Sequence, residues 1–402
     1  MLQFSKMALE SETGLYHSCT QERLHAPSVL RSLLPRVLGT PDTPAQDWDS
    51  AYLLLLSKEL QKRGFLVPEE SLQNERAHHN RNHPVRMARG GIFKSTVARP
   101  SAVPEDADWV FLGVPCDLGS SKPGAASGPE IIRDRTRSLL FRSDCPGGLY
   151  SIRDGSFPLG SGKYFDIGDI FLERAGIDDW LSSVSQVIES LPDHVPVMLL
   201  GGDHTFSLPA ILSARKRVGA PLSVIHFDSH LDLQVWASPY AQSSGQSFLL
   251  DPPVHSNFMS HVLTGAPDTK LYQMGVRNYQ TIPSASAGAM REYLQRSSKI
   301  FTDQDFHHSD PLEFLSSIPL GSPVYVSMDI DCLSAPFAPA TGHPSALGMI
   351  PRDLMRSLNF IRKHFRVVGA DLMEVSKSAD RGGELRTAEL GMTALLALVG
   401  SP

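Results

Sequence analysis

Three largely apolar runs in this chain break, at their carboxyl ends, into acidic and imidazole side chains. Val197-Met198-Leu199-Leu200 leads into Gly201-Gly202-Asp203-His204, Ile225-His226-Phe227 into Asp228-Ser229-His230-Leu231-Asp232, and Val324-Tyr325-Val326-Ser327-Met328 into Asp329-Ile330-Asp331. Apolar runs without alternation read as strands covered on both faces, the signature of a parallel sheet between helical layers. The runs Trp109 to Val114, Val195 to Leu200, Leu222 to Phe227, Val324 to Met328 and Val367 to Leu372 alternate with helix-like stretches, among them Ile177 to Leu191, Leu208 to Arg217 and Pro351 to Phe365. The expected fold is therefore α/β, a three-layer α-β-α body with a mostly parallel sheet. Such sheets place their sites at the carboxyl ends of the strands, where the polar rows fall.

Taken singly, each row has an ordinary structural reading. A strand of period two points Asp228, His230 and Asp232 to one face, which also describes a polar strand end. Asp329 and Asp331 alone read as a turn or helix cap, and His204 as a hydrogen-bonded structural histidine. Four carboxylates and two imidazoles at three strand ends are harder to explain without a cation, because neighbouring carboxylates raise one another's pKa. Carboxylate and imidazole donors without thiolate suit Mn²⁺ and also admit Ni²⁺, Fe²⁺, Co²⁺ and Zn²⁺. Cys332, next to Asp331, reads as a small packed side chain.

With 402 residues, 41% hydrophobic and 20% charged, the chain can bury one large core and carry an appendage. A net charge of -6 argues against a nucleic-acid partner, and the basic cluster Arg76-Ala77-His78-His79-Asn80-Arg81-Asn82-His83 reads as a solvated loop. No apolar run reaches the roughly 18 residues of a membrane span. The N-terminus lacks the charged-then-apolar pattern of a secretory signal, which points to the cytoplasm. Cys19, Cys116, Cys145 and Cys332 make no C-x-x-C pair. A division near residue 105 is expected. Residues 1–105 form an extension with amphipathic helices over Leu30 to Leu38 and Asp47 to Arg63 and a breaker-rich strap over Pro84 to Pro104; residues 106–402 form the domain that carries the polar rows.

The polar rows, together with Gly113-Val114-Pro115-Cys116-Asp117-Leu118-Gly119, Pro123-Gly124-Ala125, Gly128-Pro129-Glu130-Ile131-Ile132-Arg133, Asp166-Ile167-Gly168-Asp169, Gly275-Val276-Arg277, Pro339-Ala340-Thr341-Gly342 and Glu374-Val375, resemble the ureohydrolases, the family of arginase and agmatinase, on its agmatinase side. The resemblance covers roughly residues 106 to 400. It implies an arginase-like fold and a two-manganese centre, with Ni²⁺ as the alternative metal. His204, Asp228, Asp232 and Asp329 would hold one ion and Asp228, His230, Asp329 and Asp331 the other. Four carboxylates balance two divalent ions, and a bridging hydroxide would leave the loaded site at about -1, which attracts a guanidinium cation; the two ions would supply that hydroxide at neutral pH. Glu374 is the implied grip on the guanidinium. His255 matches the proton-shuttling histidine, with His261 and His226 as rivals. The implied reaction is hydrolysis of a guanidino C–N bond with release of urea, in a homo-oligomer, a trimer or hexamer. A formimino or acyl-amine hydrolase of the same fold and a non-catalytic scaffold are the alternatives.

Departures from the family pattern bear on the substrate. The family's Ala-Thr-Gly-Thr-Pro turn is here Ala340-Thr341-Gly342-His343-Pro344, which puts His343 beside the site as a candidate substrate contact. Ser243-Ser244-Gly245 echoes the arginine-recognition segment of arginases, but Gln246-Ser247-Phe248 follows without the histidine. A substrate other than free arginine is therefore expected: agmatine by resemblance, with free guanidine, 4-guanidinobutyrate or a specialised metabolite fitting the altered lid and turn. The segment Leu233 to Val254, with Trp236, Tyr240, Phe248 and Pro252-Pro253, reads as an enlarged lid.

Overall fold

The computed structural model describes residues 85–88, 90–138, 149–152, 157–172, 175–233, 252–277 and 294–400, a few single positions, and the backbone of short strands before residue 70. Two compact units are present. The smaller comprises Met1–Met87 with Phe171–Arg174, and the larger Ala88–Ile170 with Ala175–Pro402. In the smaller unit Leu2–Phe4 pairs antiparallel with Leu66–Pro68, and Ala8–Ser11, Gly14–His17 and Arg23–His25 form an antiparallel three-stranded sheet. The helices expected over 30–38 and 47–63 and the basic cluster 76–83 lie outside the described residues. Most of the strap, from Ala88 onward, clusters with the larger unit.

The larger unit is built on strands β1 (Trp109–Gly113), β2 (Tyr164–Ile170), β3 (Val197–Leu200), β4 (Ser223–Phe227), β5 (Lys270–Val276), β6 (Ser298–Thr302), β7 (Pro323–Asp329) and β8 (Arg366–Met373). They lie in the order β6-β5-β4-β7-β8-β3-β1-β2, and every neighbouring pair is parallel. The strands whose ends carry the polar rows, β4, β7 and β3, thus flank β8 in one contiguous block. Register aligns Phe227 with Met328, Met328 with Leu372 and Leu372 with Leu200, so the candidate residues leave the sheet at one level.

Helices α1 (Gly128–Ser138), α2 (Ile177–Glu189), α3 (Ser207–Val218), α4 (Phe258–Gly265), α5 (Pro351–His364) and α6 (Arg381–Val399) supply the outer layers. Contacts run α2 to α3 to α4 in one group and α1 to α6 to α5 in the other. Their ends follow local chemistry. In α5 Pro351 opens the helix, Asp353 lies in the first turn, and Arg362, Lys363 and His364 face the negative end of the dipole. Gly219 ends α3 in the left-handed conformation at φ 64°. Between the layers Phe111, Met198, Leu200, Ile225, Phe227, Val326, Ala370 and Leu372 are buried in one core. Each such side chain larger than alanine contributes about 1.5–3 kcal/mol by leaving water.

The sheet also contains a buried charge system that the apolar pattern conceals. Arg133 on α1 donates to Asp166 through Nε at 2.8 Å and Nη2 at 2.9 Å, to Asp169 at 2.5 Å and to the Gly168 carbonyl at 3.1 Å. Asp166 Oδ2 also accepts the backbone N–H of Ile92, tying the strap to β2. This network gives the Asp166-Ile167-Gly168-Asp169 motif a structural role.

Candidate active site

The loops after β1, β3 and β8 are braided by main-chain bonds. Gly202 N donates to Val114 O at 2.9 Å, Asp203 N to Cys116 O at 3.0 Å, and Glu374 N to Gly202 O at 2.9 Å. A Cβ on Gly202 would run into the Cys116 and Val114 carbonyls, which is why glycine stands there. Asp203 is a cap: its Oδ1 accepts from Thr205 N at 2.9 Å and its Oδ2 from Gly119 N at 2.8 Å. His204 then opens the short 3₁₀ turn His204–Phe206 and enters the site.

The structure brings all six candidate ligand residues together. His204 Nδ1 lies 3.2 Å from Asp228 Oδ2, 3.5 Å from Asp232 Oδ2 and 3.3 Å from Asp329 Oδ2. His230 Nδ1 lies 3.1 Å from Asp228 Oδ1 and 3.3 Å from Asp331 Oδ2. Asp228 stands between the two groups. His204 Nδ1 and Asp228 Oδ2 are buried, yet neither makes a hydrogen bond of acceptable angle among the described residues. Buried polar atoms that converge without bonding one another are arranged around a common centre, and carboxylate and imidazole donors fit a divalent cation there.

The reason for convergence differs from the expected strand periodicity. β4 ends at Phe227, and Asp228 to Asp232 occupy the loop beyond it. Asp232 reaches the cluster because its backbone turns left-handed, at φ 49°, and Glu374 does the same at φ 64°. Left-handed non-glycine residues are uncommon and cost free energy that the surrounding packing must offset.

Buried polar residues beyond the cluster hold it in place. His204 Nε2 donates to Ser327 Oγ at 2.9 Å, and Ser327 Oγ donates to Asp371 Oδ1 at 2.9 Å. That chain leaves Nδ1 as the nitrogen facing the carboxylates. Arg277 donates to the carbonyl oxygens of Asp331 at 2.5 Å and Cys332 at 3.2 Å, fixing the turn that carries Asp331. Cys332 is packed in the core, as its reading implied.

Glu374 lies at the end of β8, 3% exposed, with Oε1 accepting the His204 N–H at 3.0 Å. Its Oε2 is buried with no hydrogen-bond partner among the described residues and faces the Gly342 turn. Burial, with Asp329 and Asp203 nearby, pushes the carboxyl well above its ordinary range. His255 and His343 stack with ring centroids 5.5 Å apart and planes 15° apart, and His343 sits 5.8 Å from the His230 ring. Burial, aided by His343, draws His255 down to about 4. Of its rivals, His261 lies on α4, and His226 is buried behind Asp228. The lid residues Trp236, Tyr240 and Phe248 and the Ser243-Ser244-Gly245 echo lie outside the described residues.

A family model described as the arginase family matches residues 107–400. The chain belongs to the arginase family, whose members are metal-dependent amidinohydrolases. It is 29% identical over 288 residues to the mitochondrial guanidino acid hydrolase of Homo sapiens, covering 70% of this chain and 74% of that protein. It is 29% identical over 311 residues to the mitochondrial agmatinase of Gallus gallus, covering 73% of this chain and 81% of the relative. The solved proclavaminate amidino hydrolase from Streptomyces clavuligerus superposes with a TM-score of 0.62 at 25% identity, over 78% of this chain and 96% of that one. The arginase-like fold expected from the motifs is thus present, and no helix among the described residues is long and apolar enough to cross a membrane.

Proposed function

We propose that the cluster holds two divalent ions and that the chain hydrolyses the guanidino C–N bond of a small substrate other than free arginine, releasing urea and an amine. The observation that carries this reading is Glu374 Oε2, a buried carboxylate oxygen without a partner among the described residues, beside the His204 and Asp329 side of the cluster. A guanidinium N–H is the complementary donor, and the charge-assisted bond restores the carboxylate form.

His204, Asp228, Asp232 and Asp329 hold one ion, and Asp228, His230, Asp329 and Asp331 the other, with Mn²⁺ the best match to the donors and Ni²⁺ the alternative. When bound, the ions make water nucleophilic at neutral pH and stabilise charge on the attacked carbon's substituents. Glu374 orients the guanidinium carbon toward the cluster. Neutral at rest because of its burial, His255 takes a proton from water and passes it to the amine, which cannot leave without it, and His343, stacked on it, touches the substrate beyond the guanidino group. Relatives named agmatinase and guanidino acid hydrolase support a guanidino compound with a short chain. Family resemblance adds a homo-oligomer, a trimer or hexamer.

The test is urea release by purified protein loaded separately with Mn²⁺ and Ni²⁺, across agmatine, arginine, guanidine and 4-guanidinobutyrate. Urea from a substrate other than arginine is the expected result. Two ions bound per chain with no urea from any of these, and hydrolysis of a formimino or acyl-amine compound instead, overturns the guanidino reading.

A further inference from the structure

By distance alone, His226 is a seventh candidate donor. Its Nε2 lies 3.0 Å from Asp228 Oδ2, and it falls in one donor group with His204, Asp228 and Asp232. We propose that Gln273 excludes His226 from the ion shell and is itself the positioning residue of the Asp228 to Asp232 loop. The proposal rests on the two-ion reading above.

Gln273 is fully buried on β5, next to β4. Its Nε2 lies 2.7 Å from the Leu231 carbonyl oxygen and 3.2 Å from His226 Nδ1. An amide nitrogen carries two hydrogens and no accepting lone pair, so both contacts are donations by Gln273. Turning the amide over would set Oε1 against Leu231 O, two acceptors with no hydrogen between them; the orientation is forced. His226 Nδ1 must then be the accepting nitrogen. A neutral imidazole that accepts at Nδ1 carries its hydrogen on Nε2, the atom facing Asp228. That nitrogen has no lone pair to give a cation. A cationic ring is excluded by the same contact, since two N–H groups cannot face each other across 3.2 Å.

The second bond of Gln273 acts on the backbone. Leu231 lies between His230 and left-handed Asp232, and the loop is otherwise fastened to β5 by Asp228 N to Met274 O at 3.1 Å and Arg277 N to Ser229 O at 3.0 Å. At the far end of the row Gln273 supplies a side-chain anchor on Leu231, next to the Met259 N–H that donates to Asp232 O at 3.2 Å. One side chain that touches no ion thus sets the tautomer beside Asp228 and the path into Asp232.

The experiment measures Mn²⁺ stoichiometry and affinity for full-length wild type, Gln273→Met, His226→Gln and His226→Phe, with circular dichroism confirming that each is folded at the assay temperature. Gln273→Met and His226→Phe are expected to bind two ions about 10- to 100-fold more weakly, the usual effect of losing an outer partner of a metal site. His226→Gln, whose amide N–H replaces the ring N–H, should stay within about threefold of wild type on the same principle. Saturation of His226→Phe or His226→Gln at one ion per chain makes His226 a ligand and overturns the proposal, as does wild-type affinity in Gln273→Met. A wild type that binds no divalent ion instead sinks the two-ion reading itself, a different result.

Discussion

The backbone N–H of His204 donates to Oε1 of Glu374 at 3.0 Å, joining the loop after β3 to the end of β8. One carboxylate oxygen is thereby committed to the scaffold, and the other, buried and without a partner among the described residues, is committed to whatever enters. Glu374→Gln keeps a scaffold acceptor but loses the charge. Charged hydrogen bonds contribute about 1.5–3 kcal/mol, so kcat/KM for urea release should fall roughly 10- to 150-fold with the metal content intact. Unchanged kcat/KM would remove Glu374 from substrate binding.

His255 and His343, stacked side by side, carry different roles. Separate variants distinguish them. His255→Asn should lower kcat by about 10² to 10⁴, the usual weight of a general acid, with both ions retained. His343→Asn should act mainly on KM. The reverse pattern in steady-state kinetics would exchange the two assignments.

Metal uptake should release protons. Burial alone would depress His204, but Asp228 and Asp329 outweigh it and raise the imidazole well above its usual range. In His230 burial is likewise overcome by Asp228 and Asp331, and the ring rises to about 12. Without ions these rings hold protons at neutral pH, and a divalent cation must displace them, so apparent affinity should increase as pH rises. Calorimetric titration in buffers of different ionisation heat reads the number released. A heat independent of buffer would contradict the linkage.

Arg133 should matter to stability. Removing one member of a buried ion pair costs about 3–5 kcal/mol because the partner is left charged and unpaired. Arg133→Met strands Asp166, which is fully buried. Thermal melting should show a large loss, and a melting curve matching wild type would mean that Asp166 takes up a proton at little cost.

Residue types and chain order made the fold readable, because β1, β3, β4, β7 and β8 are apolar along almost their whole length and α2 and α5 are strongly amphipathic, whereas α6 carries little such signal. β2 escaped that reading because Asp166 and Asp169 interrupt it, and their partner Arg133 lies on a different element. The cluster was legible from donor types, although the reason was a loop rather than a strand face. A left-handed turn at Asp232 has no sequence signal when the residue is not glycine. Gln273, Ser327 and Asp371 were invisible as outer partners for a related reason. Each is an isolated polar residue in an apolar strand, and its role depends on neighbours that adjoin only across the sheet.

The place of β8 in the sheet has a consequence for how the protein matures. Arg366–Met373 comes late in the chain yet sits between β7 and β3, in the middle of the strand order. During synthesis the donors at 204, 228 to 232 and 329 to 331 emerge in turn, but β3 and β7 cannot be held at their final separation until the last strand slides between them. Such long-range closure is slow to nucleate, because the loop entropy is lost before the contacts form. A cation offered to the nascent chain would meet scattered carboxylates, and the full donor set comes together only when the sheet is complete.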